Sequence, residues 1–145
     1  MIERIYTPKL TPVASTMTVQ FKIAAIMLIV NKYKSISLMK IQLCLWGLQQ
    51  KDNLQEILDW KNKNQISHAG WIDNEVVTEI VMQCVANKLL KLSFKNKQVK
   101  VELDREANRF LFDIQTLDIT NDINADLKRL GTVTDVLLKN IQFNF

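Results

Sequence analysis

The chain has 145 residues, the length of one domain, and 48% of them are hydrophobic, enough to bury one continuous core. Charged residues make up 23%, and only three glycines and two prolines occur, which argues against a disordered chain and against a loop-rich all-β fold. The net charge of +4 permits contact with nucleic acid but is mild for a dedicated binder, whose affinity rests on many phosphate contacts.

Residues 1–17 hold Pro8 and Pro12, which fix φ and remove a backbone donor, so an extended N-terminal arm is expected. Glu3, Arg4, Lys9 and both prolines precede any apolar stretch, which is not the order of a secretory signal. Residues 18–34 are predicted to form the first helix, with Phe21, Ala24, Ala25, Leu28 and Ile29 on one stripe and lysines in the last turn, where the helix dipole favours them. Its apolar run, residues 21–30, is broken by Lys22 and closed by Asn31-Lys32-Tyr33-Lys34, well short of the ~20 residues a membrane span needs. No membrane contact and a cytoplasmic location are therefore expected.

Ser35 is a candidate cap for a second helix over residues 36–49, with Leu38, Ile41, Leu45 and Leu48 on one side and Met39, Leu43 and Trp46 widening the face. Asp52 is a candidate cap for a third, with Leu54, Ile57, Leu58 and either Trp60 or Lys61 inward. Residues 62–73 have no sustained period and read as a loop around Gly70. Asp73 or Asn74 then starts a helix with Val76, Val77, Ile80, Val81 and Cys84 as its buried face. After it the period changes to two: Leu90, Leu92 and Phe94 alternate with Lys91 and Ser93, and Val99, Val101 and Leu103 with Lys100 and Glu102. Lys95-Asn96-Lys97-Gln98 reads as a four-residue connection between two half-buried antiparallel strands.

Helices followed by such a hairpin are in the order of a winged-helix module. The fold class expected is mainly α with a small antiparallel β-hairpin: a winged-helix-like core over residues 18–103 and a C-terminal helical tail over residues 104–145. In that tail Asp104 is a candidate cap for a helix carrying Ala107, Phe110, Leu111, Ile114 and Leu117. A further helix follows from Thr120 with Ile123, Leu127 and Leu130, stopped at Gly131, and a short one is expected at residues 133–141. Phe143 and Phe145 near the end would pack against this domain or a neighbour.

No reactive constellation is legible. The single histidine, His68, has no H-x-E, H-E-x-x-H or Cys/His partner in sequence, so neither a general base nor a metal ligand set is assembled. Cys44 and Cys84 each sit in an apolar helical pattern and read as buried free thiols. Gly47, Gly70 and Gly131 are too far apart for a phosphate-binding loop. Asp113, Asp118 and Asp122 read as a solvated helix face. No catalytic residue, cofactor or metal is expected.

The candidates are therefore contact residues. Lys88, Lys91, Lys95, Lys97 and Lys100 gather on a helix end and the exposed side and tip of the hairpin, where they could meet DNA phosphates or form a solubilising strand face that also keeps an edge from pairing. Trp46 and Trp60 read as core; Trp71, beside Gly70, is with Phe143 and Phe145 a candidate partner contact.

One resemblance covers most of residues 18–143. Ser37-Leu38-Met39-Lys40-Ile41-Gln42-Leu43-Cys44-Leu45-Trp46-Gly47-Leu48, followed by residues 54–60, resembles the helix pair that opens the middle components of ABC-three-component systems, including those of Lamassu-type antiphage defence. Leu127-Lys128-Arg129-Leu130-Gly131-Thr132-Val133-Thr134-Asp135-Val136-Leu137-Leu138 is similar to their closing segment. The resemblance implies a non-catalytic accessory subunit that sits with an SMC-like ATPase and a separate effector nuclease and bridges the two, touching DNA at most non-specifically. The alternative is a free-standing winged-helix DNA-binding regulator acting through the wing lysines. A small enzyme would need His68 and two carboxylates around a cavity.

Overall fold

The computed structural model describes residues 18–63 and 74–134, in which α1 (Val19–Tyr33), β1 (Ser35–Ile36), α2 (Leu38–Gln49), α3 (Lys51–Lys63) and α4 (Asn74–Ala86) lead into β2 (Leu90–Lys95) and β3 (Gln98–Leu103). Then come α5 (Ala107–Ile114) and α6 (Asp118–Leu130). The protein is mainly helical with a small antiparallel sheet of three strands in the order β1-β3-β2. The N-terminal arm, His68, Trp71, Phe143, Phe145 and the closing helix expected at residues 133–141, from residue 135 on, lie outside the described residues.

Helix α1 is the axis of the fold. Thr18 caps it, its Oγ accepting from the Phe21 N–H at 3.1 Å. All seven residues 24–30 are buried, not only the predicted stripe, because α2, α4, α5, α6, β1 and β3 all pack on it. Lys34 ends the helix at φ 72°, donating its N–H to the Val30 carbonyl at 2.7 Å. That left-handed turn crowds Cβ and redirects the chain into β1, where Ser35 pairs with Glu102 and Ile36 with Val101. Ser35 is thus a strand residue rather than a cap; Ser37 caps α2, accepting from the Lys40 N–H at 3.2 Å.

Helices α2 and α3 pack closely. Trp46 and Trp60 stack with ring centroids 5.6 Å apart and planes 7° from parallel. Gly47 lets the helices approach, since a Cβ there would stand 2.6 Å from Ile57 Cδ1. Asp52 lies within the first turn of α3, not at its cap, and Trp60 is the buried member of the Trp60/Lys61 pair. On α4, Val77, Ile80, Val81 and Cys84 are buried at helical spacing, while Val76, predicted inward, is 40% exposed.

The chain leaves α4 through a left-handed Lys88 (φ 65°), with Lys88 N–H on the Val85 carbonyl and Leu89 N–H on that of Cys84, the paired bonds of a Schellman turn. Strands β2 and β3 then pair from Leu90↔Leu103 to Lys95↔Gln98. Their connection is two residues, not four: Asn96 (φ 52°) and Lys97 (φ 64°) both take the left-handed conformation of a type I′ turn, whose twist matches that of the strands.

Past the sheet, Asp104 shapes a turn instead of capping a helix. Its main-chain oxygen accepts from the Ala107 N–H at 3.0 Å, and α5 starts there without a side-chain cap. Helix α6 begins two residues before Thr120, whose Oγ1 donates to the Ile114 carbonyl at 2.6 Å and ties α6 back to α5. Gly131 stops α6 as read, at φ 71°, its N–H on the Leu127 carbonyl. That end is pinned: Lys61 Nζ donates to the Leu130 carbonyl at 2.5 Å, and the Tyr33 hydroxyl donates to that of Gly131.

Ile123, Leu127, Leu130 and Val133 belong to the same hydrophobic cluster as α1. Truncating Leu127, 1% exposed, to alanine should therefore destabilise the whole chain by about 2–5 kcal/mol. Chemical denaturation followed by tryptophan fluorescence, which reports Trp46 and Trp60, should show the loss in a single transition; an unchanged tryptophan transition would mean that α6 folds apart from them.

Candidate interaction surface

Residues paired across an antiparallel ladder point to the same side, so the hairpin has two chemically distinct faces. One carries Leu90/Leu103, Leu92/Val101 and Phe94/Val99; the other carries Lys91/Glu102, Ser93/Lys100 and Lys95/Gln98. The apolar face changes environment along its length. Leu90 and Val101 are buried in the core, whereas Leu92 (45%), Phe94 (72%) and Val99 (55%) project past the helices into solvent. The strands were predicted half-buried throughout; they are so only at their base.

The five candidate lysines occupy three places on the hairpin and the turn before it. Lys91, Lys95 and Lys100 share the polar face, Lys97 occupies the turn, and Lys88 stands at the base of β2 in its helix-ending turn. Lys95 is paired, its Nζ 2.6 Å from Glu102 Oε2. The same carboxylate oxygen accepts from Ser35 Oγ and Ser93 Oγ, each at 3.0 Å, so one side chain links all three strands. Lys95 first, then the two serines, hold the Glu102 carboxyl down at about 2, well below the usual carboxylate range. Sequence reasoning placed Glu102 on a solvated strand face. Its partners could not be foreseen, because Ser35 lies 67 residues away.

Next to the hairpin in sequence, α4 shows solvent a different surface. Glu75, Val76, Glu79, Met82 (46% exposed), Gln83 and Ala86 follow helical spacing along its outer side, and the helix contains no lysine or arginine. Sequence reasoning missed this face, although the buried stripe at Val77, Ile80, Val81 and Cys84 leaves it by subtraction. A third exposed apolar area is made by Phe112, Leu117 and Ile119, in and between α5 and α6.

Among the described residues no group of three or more His, Cys, Asp or Glu could hold a metal, and no helix is long and apolar enough to cross a membrane. Cys44 and Cys84 are free and buried, and burial pushes their thiols up, to about 12 and about 11, so both are neutral near pH 7. Burial likewise raises the Tyr33 hydroxyl, which faces Cys44. A shallow depression of about 350 Å³ between α1, α5 and α6 is lined by Asn31, Asn108, Gln115 and Asn124 with Leu28, Leu111, Phe112 and Thr120. It has no ionisable side chain, so it can exchange neutral hydrogen bonds but not protons.

No protein-family profile matches the chain, and no curated protein or solved structure matches it either.

Two measurements test the hairpin chemistry. In a carbon-detected NMR titration Glu102 should ionise with a midpoint near 2 and move up toward 4.5 in Lys95→Ala. Because the folded value is depressed, the stability Glu102 contributes is fully present above about 4.5 and is lost as pH falls through about 2. Lys88→Gly should raise stability by about 1 kcal/mol, since a β-carbon is strained at its positive φ, and thermal or urea denaturation reads that sign directly.

Proposed function

We propose that this protein is a non-catalytic docking subunit with a winged-helix-like core. The order α1, β1, α2, α3, α4, β2, β3 and the sheet order β1-β3-β2 support that architecture, with β2 and β3 as the wing. The observation that carries the functional reading is the outer face of α4. In winged-helix DNA readers the helix before the wing enters the major groove, flanked by phosphates. Here that helix offers Glu75 and Glu79 beside Val76 and Met82 and no basic residue. Such a face is repelled by a polyanion and suits a protein surface, where apolar anchors inside a polar rim supply most of the binding energy.

The partners we propose follow from the resemblance of residues 37–60 and 127–138 to the middle components of ABC-three-component, Lamassu-type defence systems: an SMC-like ATPase and an effector nuclease, bridged in the cytoplasm. One core spanning α1 to α6 supports a bridging role, because a load applied at α6 is transmitted to α1 through packed side chains. A change in the ATPase would alter the bridge by favouring one arrangement of it.

The wing lysines favour a second reading, a DNA-binding regulator. Lys88, Lys91, Lys97 and Lys100 make no ion pair with a described residue. With these four as the phosphate contacts, binding by the isolated chain would fall with log salt at a slope no steeper than about −4.

Affinity capture of the tagged chain co-expressed with the proteins encoded beside it should recover an SMC-like ATPase and a nuclease, and Glu79→Lys combined with Met82→Lys should lose at least one of them. Recovery of neither partner, together with salt-sensitive, sequence-selective DNA binding by the isolated chain, would replace the docking reading with the regulator.

A further inference from the structure

The hairpin has one side to which nothing described is joined. In the order β1-β3-β2, strand β2 lies at the sheet edge, and among the described residues no strand pairs along its outer side. The pair flanking a two-residue turn exchanges both ladder hydrogen bonds, so Lys95/Gln98, Ser93/Lys100 and Lys91/Glu102 are bonded inward. The Asp104 N–H on the Leu89 carbonyl, at 3.0 Å, continues that alternation. It follows that the N–H and C=O groups of Leu92 and Phe94 point out of the open edge, at the two β2 residues whose apolar side chains are exposed.

Lysines on an edge strand blunt it against pairing, and in β2 Lys91 and Lys95 do so on one face only. The other face carries Leu92, Phe94 and Val99, all exposed. An added strand would meet apolar neighbours on one face and, on the other, Lys91 and the Lys95 that is paired with Glu102. In the antiparallel register that stacks Leu92 on Phe94, a second copy of β2 would set Lys91 opposite Lys95 of the other copy. Like charges directly opposed across a ladder are destabilising.

We propose that the open edge of β2 is a strand-addition site for an extended partner segment in which apolar residues alternate with aspartate or glutamate. The acidic residues would lie beside Lys91 and Lys95, and the apolar ones would extend the Leu92–Phe94 surface. This deepens the docking reading above and rests on it.

The test uses the isotope-labelled full chain and two capped heptapeptides, one alternating glutamate with valine and one alternating lysine with valine. The glutamate peptide should shift amide signals of residues 90–95 saturably and slow hydrogen exchange at Leu92 and Phe94. The lysine peptide should bind about tenfold more weakly or not at all, from two charge reversals of the size measured for exposed ion pairs. Leu92→Glu and Phe94→Glu, at exposed positions that leave the core intact, should abolish the shifts, and Lys91→Glu should weaken the glutamate peptide about threefold or more. Equal binding of both peptides, shifts mapping away from β2, or self-association of the chain through β2 would overturn the proposal. Capture of the ATPase and nuclease bears on the docking reading and not on this edge, so the two can fail separately.

Discussion

A helix desolvated on every side is the constraint from which the rest of the structure follows. Residues 24–30 of α1 are all buried, and covering a large side chain such as Ile26, Met27 or Ile29 contributes roughly 2 kcal/mol relative to exposure. No single neighbour can cover a full helix circumference. Four helices and two strands are recruited to it, drawn from both ends of the chain, which is why α5 and α6 join the same core as α2 and α4. The turn at Lys34 serves the same end, since only an abrupt reversal brings Ile36 back beside Val101 against the helix.

That demand is local, and it stops at the base of the hairpin. Leu90 and Val101 are buried in the core, whereas Leu92, Phe94 and Val99, a few residues further out, are exposed. The polar face is ordered independently, by the Glu102 carboxylate holding Ser35, Ser93 and Lys95. The result is a hairpin, apolar on one side and mostly basic on the other, closed by a two-residue turn, with no described strand along the outer side of β2. Beside it in the chain stands a helix whose solvent side is acidic and apolar. These surfaces differ in charge.

At the C-terminal end of α1, beside β1, a second lock operates. Lys61 and Tyr33 hold the carbonyls of Leu130 and Gly131, so the last described helix is fastened to both α3 and α1 by groups that replace lost helical partners. Cys44 and Tyr33 sit inside this region as neutral groups, their ionised forms disfavoured by burial.

Periodicity along the chain determined most of the elements. The helices, the switch to period two at Leu90, the stop at Gly131 and the free cysteines were all legible, because each depends on neighbours within about one helical turn or on a strand's alternation. Several of the errors share one cause. Ser35 reads as a cap until its strand partner, 67 residues on, is known; Val76 reads as buried until the orientation of α4 is set by what covers α1; Leu92 and Phe94 read as half-buried because alternation marks which side a residue faces, not whether anything stands there. The lysines were visible as a cluster, but which of them is neutralised was not. Sequence by itself thus determined the described helices and the two strands of the hairpin, but not β1. Only the tertiary structure decided which apolar residues are left over, since exposure is a property of distance between segments far apart in the chain, and that distance is set by the packing around α1.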